Sequence, residues 1–186
     1  MGSINKIVNK VLSRRFSLVL PKLVSKYQHA SIKGRQIAEV GLIANELVDS
    51  RRRSKKPGLM FKLDIEKAFD NVNWGCLFHI LDSLGFPPQV SNWVQGTMCL
   101  PMLSILINGE AHGYFPAFKG LRQGDPLSPG LFVLVMDVLS YMLSKVHDDG
   151  LFEGFFMDED QRRWEVSHLL FADDTLIFVM LMLTKC

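Results

Sequence analysis

The first quarter of the chain carries hydrophobic residues at helical spacing. Residues 3–24 follow this pattern after Ser3, a good helix N-cap, and predict a helix that begins there. Pro21 predicts a break that divides this segment into two helices. Residues 34–53 repeat the helical pattern, and the Pro57-Gly58 pair then interrupts the chain.

The mostly apolar run at 59–65 predicts a β-strand in the centre of a sheet. Its polar exceptions, Lys62 and Asp64, lie on one side because side chains alternate along a strand. Residues 73–86 predict a helix that stops at Gly85, and residues 88–97 predict another.

The second half of the chain reads as a hairpin, a long helix and further strands. The hairpin turns at Asn108-Gly109. The long helix is capped by Ser128. Strands are predicted at 151–156 and 163–166, followed by an apolar hairpin that carries Asp173 and Asp174 in its turn. Helices and strands mixed without strict alternation favour an α+β fold with a mostly antiparallel sheet and helices packed on it.

Composition narrows the functional classes only slightly. The 186 residues are 48% hydrophobic, which is enough for one sizeable core, and the formal charge is only +2. Basic residues cluster at 51–56 as "RRRSKK", which is either a solvated loop or a surface for phosphates or nuclear import. The N-terminus has no secretory signal pattern, and the apolar tail is too short to span a bilayer, so we expect no membrane association and no secretion.

Three aspartates carry the clearest chemistry. A lone "ADD" is most simply a turn, because Asp bonds nearby backbone amides. If Asp64 and the Asp173-Asp174 hairpin are neighbours in one sheet, however, three carboxylates converge, and cations must compensate their charge. Such oxygens suit Mg²⁺, and two such ions stabilise the attacking and leaving oxygens of a nucleotidyl transfer.

Residues after Asp64 and in the segment 122–129 are suited to contacts with a nucleotide substrate. The backbone turns after Asp64, so the amides of Lys67 and Ala68 are candidates for triphosphate contact. Phe69 is a candidate for excluding a 2′-hydroxyl, with core packing as the alternative, and we expect Asp70 to cap the next helix. In "RQGDPLSP", Gln123 offers an amide and Gly124 allows close backbone approach.

Three segments in order resemble motifs A, B and C of a reverse transcriptase. They are "LDIEKAFDNVNW", "GLRQGDPLSPGLFVLVMDVLS" and "HLLFADDTLIF". The resemblance is to the non-LTR, LINE-type retrotransposon enzymes of plants. The linking segments "GSINKIVNKVLSRR", "GRQIAEVGLIANELVDSRR" and "SILING" are similar to that family too, so the resemblance covers about residues 2–178.

The resemblance implies a right-hand polymerase fold truncated at both ends. Residues 1–178 would be one fingers–palm fragment with the thumb missing. The fingers would lie mainly in 1–58 and 73–120 and the palm mainly in 59–72 and 121–178, followed by a divergent tail at 179–186.

The resemblance also implies a site and its partners. Asp64 and Asp173 would be the main ligands of two Mg²⁺ ions, or Mn²⁺, with Asp174 beside them. The partners would be an RNA template, a DNA primer and deoxynucleoside triphosphates, and the family favours the nucleus over the cytoplasm. The remaining implied roles are a possible metal-ligating carbonyl at Ile65, nucleotide contacts at Lys6, Lys67, Ala68, Gln123 and Gly124, a steric gate at Phe69, and template contact at Arg35.

Two alternatives stay open at this point. The chain is either a polymerase domain or an inactive retroelement remnant that at most binds nucleic acid. Another palm-fold phosphotransfer enzyme, such as a nucleotidyl cyclase, is disfavoured by "RQGDPLSP", which is a motif of template-dependent enzymes.

Overall fold

Helices and antiparallel strands follow one another irregularly in the computed structural model, which describes residues 3–99, 102–159 and 162–181. The strands form a three-stranded sheet in the order β1-β7-β6 and two separate hairpins, β2-β3 and β4-β5, and all of these pairings are antiparallel. The predicted α+β class is confirmed. The helices are α1 (Ser3–Leu23), α2 (Ile37–Arg53), α3 (Trp74–Ser83), α4 (Pro88–Cys99) and α5 (Ser128–Asp148), and the strands are β1 (Gly58–Leu63), β2 (Met102–Ile107), β3 (Glu110–Pro116), β4 (Phe155–Glu159), β5 (Arg162–Val166), β6 (His168–Phe171) and β7 (Asp174–Met180).

The chain divides into two compact units. The first contains residues 1–23 and 67–135, and the second contains residues 24–66 and 136–186. Helix α5 therefore contributes its N-terminal part to the first unit and its C-terminal part to the second. The boundaries that the sequence predicts for fingers and palm cut the chain at other positions and stay a prediction.

The first unit combines α1, α3, α4, the β2-β3 hairpin and the start of α5. Leu12, Phe16 and Leu20 are buried along one face of α1 at intervals of four residues, as helical periodicity requires. The Phe16 ring stacks on Phe86 at 5.1 Å between ring centroids. The hairpin turns at Asn108-Gly109, as predicted, and both residues have positive φ, as a type I′ turn needs.

The second unit has its core between α2 and the three-stranded sheet. The apolar face of α2 meets side chains from β4, β6 and β7, and Leu47 and Phe178 are fully buried in this cluster. These contacts hold the sheet whose end carries the aspartates. The buried members are Val40, Ala44, Leu47, Phe155, Leu169 and Phe178.

Two predicted boundaries are wrong. Helix α1 continues through Pro21 as one helix. The helix ends two residues later at Leu23, so the missing amide affects only the last turn and does not divide the helix. The strand predicted at 151–156 lies instead at Phe155–Glu159, because Val166 to Arg162 of β5 pair with those residues.

Strand β1 is not the buried central strand that its apolar content predicts. It lies at the edge of the three-stranded sheet of the described residues, paired with β7. Its side chains from Leu59 onward are exposed, because the described residues cover neither of its faces fully. Asp64 therefore follows an exposed edge strand and is itself exposed.

Helix α5 is, among the described residues, the one helix long and apolar enough to cross a membrane by length and composition alone. Core helices of globular proteins share this property, and Leu131 to Leu134 are almost fully buried. The helix begins at Ser128, the residue expected to cap it. At the other end of the chain, β7 extends to Met180, into the segment predicted to diverge, and residues 182–186 of that segment lie outside the described residues.

Candidate metal and nucleotide site

The three aspartates lie at one end of the three-stranded sheet in the second unit. Phe171 pairs with Asp174, so Ala172 and Asp173 form a two-residue turn between β6 and β7. Leu63 pairs with Thr175, and extending this register by one residue places Asp64 level with Asp174. Strands β1 and β7 are thus the neighbours that the predicted chemistry requires.

Lys62 lies close enough to all three aspartates for their charges to raise its pKa. The ammonium Nζ of Lys62 is 2.9 Å from Oδ1 of Asp174, and both side chains are about half exposed or more. The pKa of Lys62 is raised above its ordinary value, chiefly because it donates a hydrogen bond to Asp174 and also because of the charges of Asp174, Asp64 and Asp173. The positive charge of Lys62 compensates the carboxylate cluster, as like charges require.

The donor set fits a hard divalent ion held by few protein ligands. Among the described residues, no three His, Cys, Asp or Glu side chains are grouped closely enough to enclose a metal ion. Carboxylates arranged openly suit Mg²⁺, which usually keeps several waters and binds through one or two carboxylates plus substrate phosphates. Asp64, Asp173 and Asp174 supply such oxygens from neighbouring positions of the sheet.

The aspartate turn is held by a residue that the sequence pattern did not reveal. Gln28 is fully buried, and its side-chain Oε1 accepts a hydrogen bond from the Ala172 amide at 3.2 Å. Ala172 has φ of +54°, a left-handed conformation that is uncommon for residues other than glycine. No hydrophobic periodicity marks a buried glutamine in a loop, so local sequence patterns carry no signal for this contact.

Arg35 holds the loop that contains Gln28. Its guanidinium Nη1 donates to the backbone carbonyls of Ser25, at 2.5 Å, and of Gln28. These described bonds are local, and the template contact implied by the family resemblance stays a prediction for Arg35.

A buried polar network lies at the start of β6, at the opposite end of this strand from the aspartate turn. His168, at the start of β6, is fully buried between the hydroxyls of Ser140 and Ser167, with ring nitrogens 2.7 and 2.9 Å from them. Burial lowers the pKa of His168 to about 4. The imidazole is therefore neutral at physiological pH, and its ring packs at 4.3 Å from the ring of Tyr27.

In the first unit, the loop after the motif-A strand is tied to the loop before α5. The Leu121 amide donates to the Phe69 carbonyl at 2.7 Å, and the Gly120 amide donates to the Val72 carbonyl at 2.8 Å. The Trp74 indole Nε1 donates to the Gly120 carbonyl at 2.7 Å. These bonds bring the segments of two sequence motifs together.

A cavity of about 450 Å³ lies beside these loops in the first unit. Gln123 lines it, and Gly124, next along the chain, has φ of +79°. The Nδ2 of buried Asn9 donates to Asp125 at 2.5 Å on the cavity wall. The structure thus brings Gln123 to a concave surface, as a nucleotide-lining role would require.

The predicted nucleotide residues around Phe69 have different environments. The ring of Phe69 stacks on Phe132 at 4.1 Å between ring centroids, so the packing alternative is realised, while the steric-gate role stays a prediction. Lys67 has φ of +50°, which makes the chain turn there as predicted, and Ala68 is buried. Lys6 on α1 and Ile65 after β1 are exposed, and their nucleotide roles stay predictions.

Asp70 does not cap the next helix. The cap of α3 is Asn73, whose side-chain oxygen accepts a hydrogen bond from the Cys76 amide at 3.0 Å. Asp70 lies too far before the first helical residue, Trp74, to reach its free amides.

Sequence comparison assigns a family to most of the chain. Residues 2–182 match the family model described as reverse transcriptase (RNA-dependent DNA polymerase). A Pol polyprotein of the R2 retrotransposable element of Popillia japonica is 27% identical over 95% of the chain, which spans 24% of that protein. A 149 kDa protein of transposon TX1 from Xenopus laevis is 28% identical over 92% of the chain, which spans 13% of it. An uncharacterised mitochondrial protein of Arabidopsis thaliana is 42% identical over 42% of the chain, which spans 62% of it.

Comparison with solved structures supports the fold. The structure of telomerase from Candida albicans, solved with a fragment of telomeric RNA, matches 94% of the chain with a TM-score of 0.61 and 12% identity. The telomerase of Candida tropicalis matches 92% of the chain with a TM-score of 0.60 and 13% identity. The chain covers 30% and 33% of those two proteins, so the match describes a part of each.

Proposed function

The chain belongs to the reverse transcriptase family, as the reverse transcriptase domain of a non-LTR retrotransposon, and on this premise we propose that it transfers deoxynucleotides onto a primer 3′-hydroxyl under the direction of an RNA template. The observation that carries the proposal is the register of the sheet in the second unit. It places Asp64 level with Asp174 and Asp173 in the adjoining turn.

Asp64, Asp173 and Asp174 would hold two Mg²⁺ ions, with the Ile65 carbonyl as a further oxygen donor, and Mn²⁺ would serve in their place. Bound there, the ions supply charge stabilisation for the attacking and leaving oxygens of the transfer. The protein contributes position and electrostatics and no covalent intermediate. The ammonium of Lys62, 2.9 Å from Oδ1 of Asp174, would supply positive charge at the carboxylates until cations replace it.

Residues of the first unit would bind the incoming nucleotide. Gln123 lines the cavity beside the loops joined by hydrogen bonds at Phe69 and Leu121, and Gly124 follows it in the chain. In this proposal Phe69 excludes the 2′-hydroxyl, and Lys6, Lys67 and Ala68 contact the triphosphate. Arg35 would contact the template from the second unit.

Primer extension tests the proposal directly. The protein is incubated with an RNA template, a DNA primer, deoxynucleotides and Mg²⁺, and the Asp173→Asn variant is tested in parallel. We expect extension by the parent and a loss of at least about a thousandfold in the variant, because a metal ligand is removed. Equal extension by both proteins would reject the aspartates as the site. Absence of extension from a folded parent would reject the activity for this chain.

A second candidate function is nucleic-acid binding without catalysis. The observation that favours it is a cleft of about 270 Å³ in the second unit, lined by Arg51, Arg52, Lys55 and Lys56. Phosphate contacts by such side chains are independent of sequence and sensitive to salt. Salt-sensitive RNA binding by a protein that extends no primer would support this function over polymerisation.

Origin and location belong to the same proposal. We propose a plant retrotransposon as the source, which the similarity to the Arabidopsis protein supports, and the nucleus as the place of action. A fluorescent fusion expressed in plant cells tests the location, and an exclusively cytoplasmic signal would contradict it.

A further inference from the structure

Gln28 joins a loop of the second unit to the strand that precedes the aspartate turn. The His29 amide donates to the Leu170 carbonyl at 2.9 Å, and the Leu170 amide donates to the Tyr27 carbonyl at 2.8 Å. Gln28 and Leu170 thus form a parallel bridge at β6. The backbone on both sides of Gln28 is fixed relative to the turn two residues beyond Leu170.

The Gln28 side chain reaches the turn itself. Its Oε1 accepts hydrogen bonds from two amides, those of Ala30 at 3.0 Å and Ala172 at 3.2 Å. Ala172 is the residue with φ of +54° immediately before Asp173. A left-handed alanine persists only where its surroundings hold it, and such residues gather at functional sites.

The other end of the Gln28 amide is left without a partner. Its Nε2 is buried and has no hydrogen-bond partner among the described residues. A buried donor in this state is unfavourable, and an apolar side chain of similar length would avoid it. The benefit of glutamine at this position therefore lies in the oxygen, which is the atom that binds the turn.

We infer that Gln28 is a positioning residue for the metal site: its Oε1 fixes the Ala172-Asp173 turn and so sets the direction of the Asp173 carboxylate. Outer partners of this kind orient the groups that bind a metal and affect its affinity. This inference rests on the proposed function for its catalytic meaning, while the hydrogen bond to Ala172 does not depend on activity.

The test uses Gln28→Met, which keeps the length and removes the acceptor, and Gln28→Glu, which keeps an acceptor oxygen. The matched control is Gln95→Met, at an exposed position of α4. Hydrogen–deuterium exchange reports the Ala172 amide, and electron paramagnetic resonance reports the binding of Mn²⁺ alone.

For Gln28→Met we expect Ala172 to exchange about tenfold faster or more while the core amides of β7 keep their protection. We expect its Mn²⁺ affinity to fall about 10- to 100-fold.

Gln28→Glu keeps the inference testable if Gln28→Met unfolds. We expect Gln28→Glu to retain protection of Ala172 and Mn²⁺ affinity within a few fold of the parent. Unchanged Ala172 exchange in folded Gln28→Met, or Mn²⁺ affinity equal to that of Gln95→Met, would overturn the inference. A parent that extends no primer while Gln28→Met loses Mn²⁺ affinity would reject the proposed function and leave the positioning role intact.

Discussion

Lys62 places a positive charge beside the aspartates, where the proposed function requires a divalent ion. Its ammonium lies 2.9 Å from Asp174, and its pKa is raised by the hydrogen bond to that residue and by the charges of Asp64 and Asp173. The side chain is exposed and sits on a flexible stem, so the ion pair can open without disturbing the sheet. In the proposed metal site, Lys62 and the metal would therefore compete for the Asp174 carboxylate.

We predict that Lys62→Met binds Mn²⁺ more tightly than the parent. Loss of the competing charge removes an ion pair that solvent screens strongly, so we expect a modest affinity gain of up to about fivefold. Titration followed by electron paramagnetic resonance measures the change. Lys33→Met, at an exposed lysine of the same unit, is the control, and an affinity of Lys62→Met equal to or below that of the control would contradict the prediction.

The lowered pKa of His168 predicts how the stability of the protein depends on pH. Its folded pKa of about 4 lies below its ordinary value of 6.5, because burial disfavours the charged ring. Between these values the unfolded chain binds a proton that the folded chain does not. The contribution of neutral His168 to the free energy of unfolding is therefore fully present above about pH 6.5. It is lost as the pH falls toward 4, and the loss is at most about 3 kcal/mol.

Urea unfolding of His168→Gln measures this contribution. We expect the parent to lose stability between about pH 7.5 and 5, and the variant to lose less, because glutamine has no proton to gain. His79→Gln, at an exposed position of α3, should behave as the parent does. Parallel pH dependence of the parent and His168→Gln would show that His168 does not titrate in this way.

The aspartates and their supporting residues differ in how far the sequence predicts them. Asp64, Asp173 and Asp174 follow from strand ends and turn chemistry, and β1-β7 pairing brings them to one sheet end. Alternation along β1 already places Lys62 on the side of Asp64. Gln28 is different, because its contact depends on a loop docking on a strand far along the chain, and local patterns carry no information on such pairings.

At the scale of elements, the two motif loops of the first unit can join because Gly120 has no side chain. Gly120 has φ of +90°, and a Cβ there would meet the Asp70 carbonyl oxygen at 2.8 Å. Its amide and carbonyl bind Val72 and Trp74. Both the backbone conformation and the close approach therefore exclude a side chain.

We predict that Gly120→Ala lowers the free energy of unfolding by about 1–3 kcal/mol, since it combines positive-φ strain with a clash against backbone. Gly96→Ala is the matched control within α4, where a Cβ would meet nothing within 4 Å. That substitution should stabilise the helix by up to about 1 kcal/mol. Urea denaturation compares the two, and a Gly120→Ala protein as stable as Gly96→Ala would contradict the close approach.

Secondary-structure elements were predictable where one local signal dominated. Asn108-Gly109 sets the hairpin turn, and Gly85 follows the end of α3 with φ of +77°. The prediction failed at Pro21, where the remaining length of the helix decides the outcome, and at β1, where the sheet order decides burial. Sheet order depends on long-range pairing with β7, which the composition of β1 does not encode.

At the scale of the whole molecule, the formal charge of +2 is too small to attract nucleic acid by itself. Binding must then depend on where the charge is placed. The run at 51–56 concentrates basic residues at the end of α2, and four of them line the cleft in the second unit. No acidic residue lines that cleft among the described residues, so its local field is positive.

We predict that the double variant Lys55→Gln/Lys56→Gln binds single-stranded RNA more weakly and with a smaller salt dependence. Each lost phosphate contact should reduce the slope of log affinity against log salt by about 0.7, because fewer counterions are released. Lys33→Gln/Lys145→Gln removes the same formal charge at exposed positions away from the run and serves as the control. Fluorescence anisotropy across a salt series measures both slopes. Equal slopes for the two double variants would mean that RNA responds to net charge alone and that the cleft is not a phosphate-binding surface.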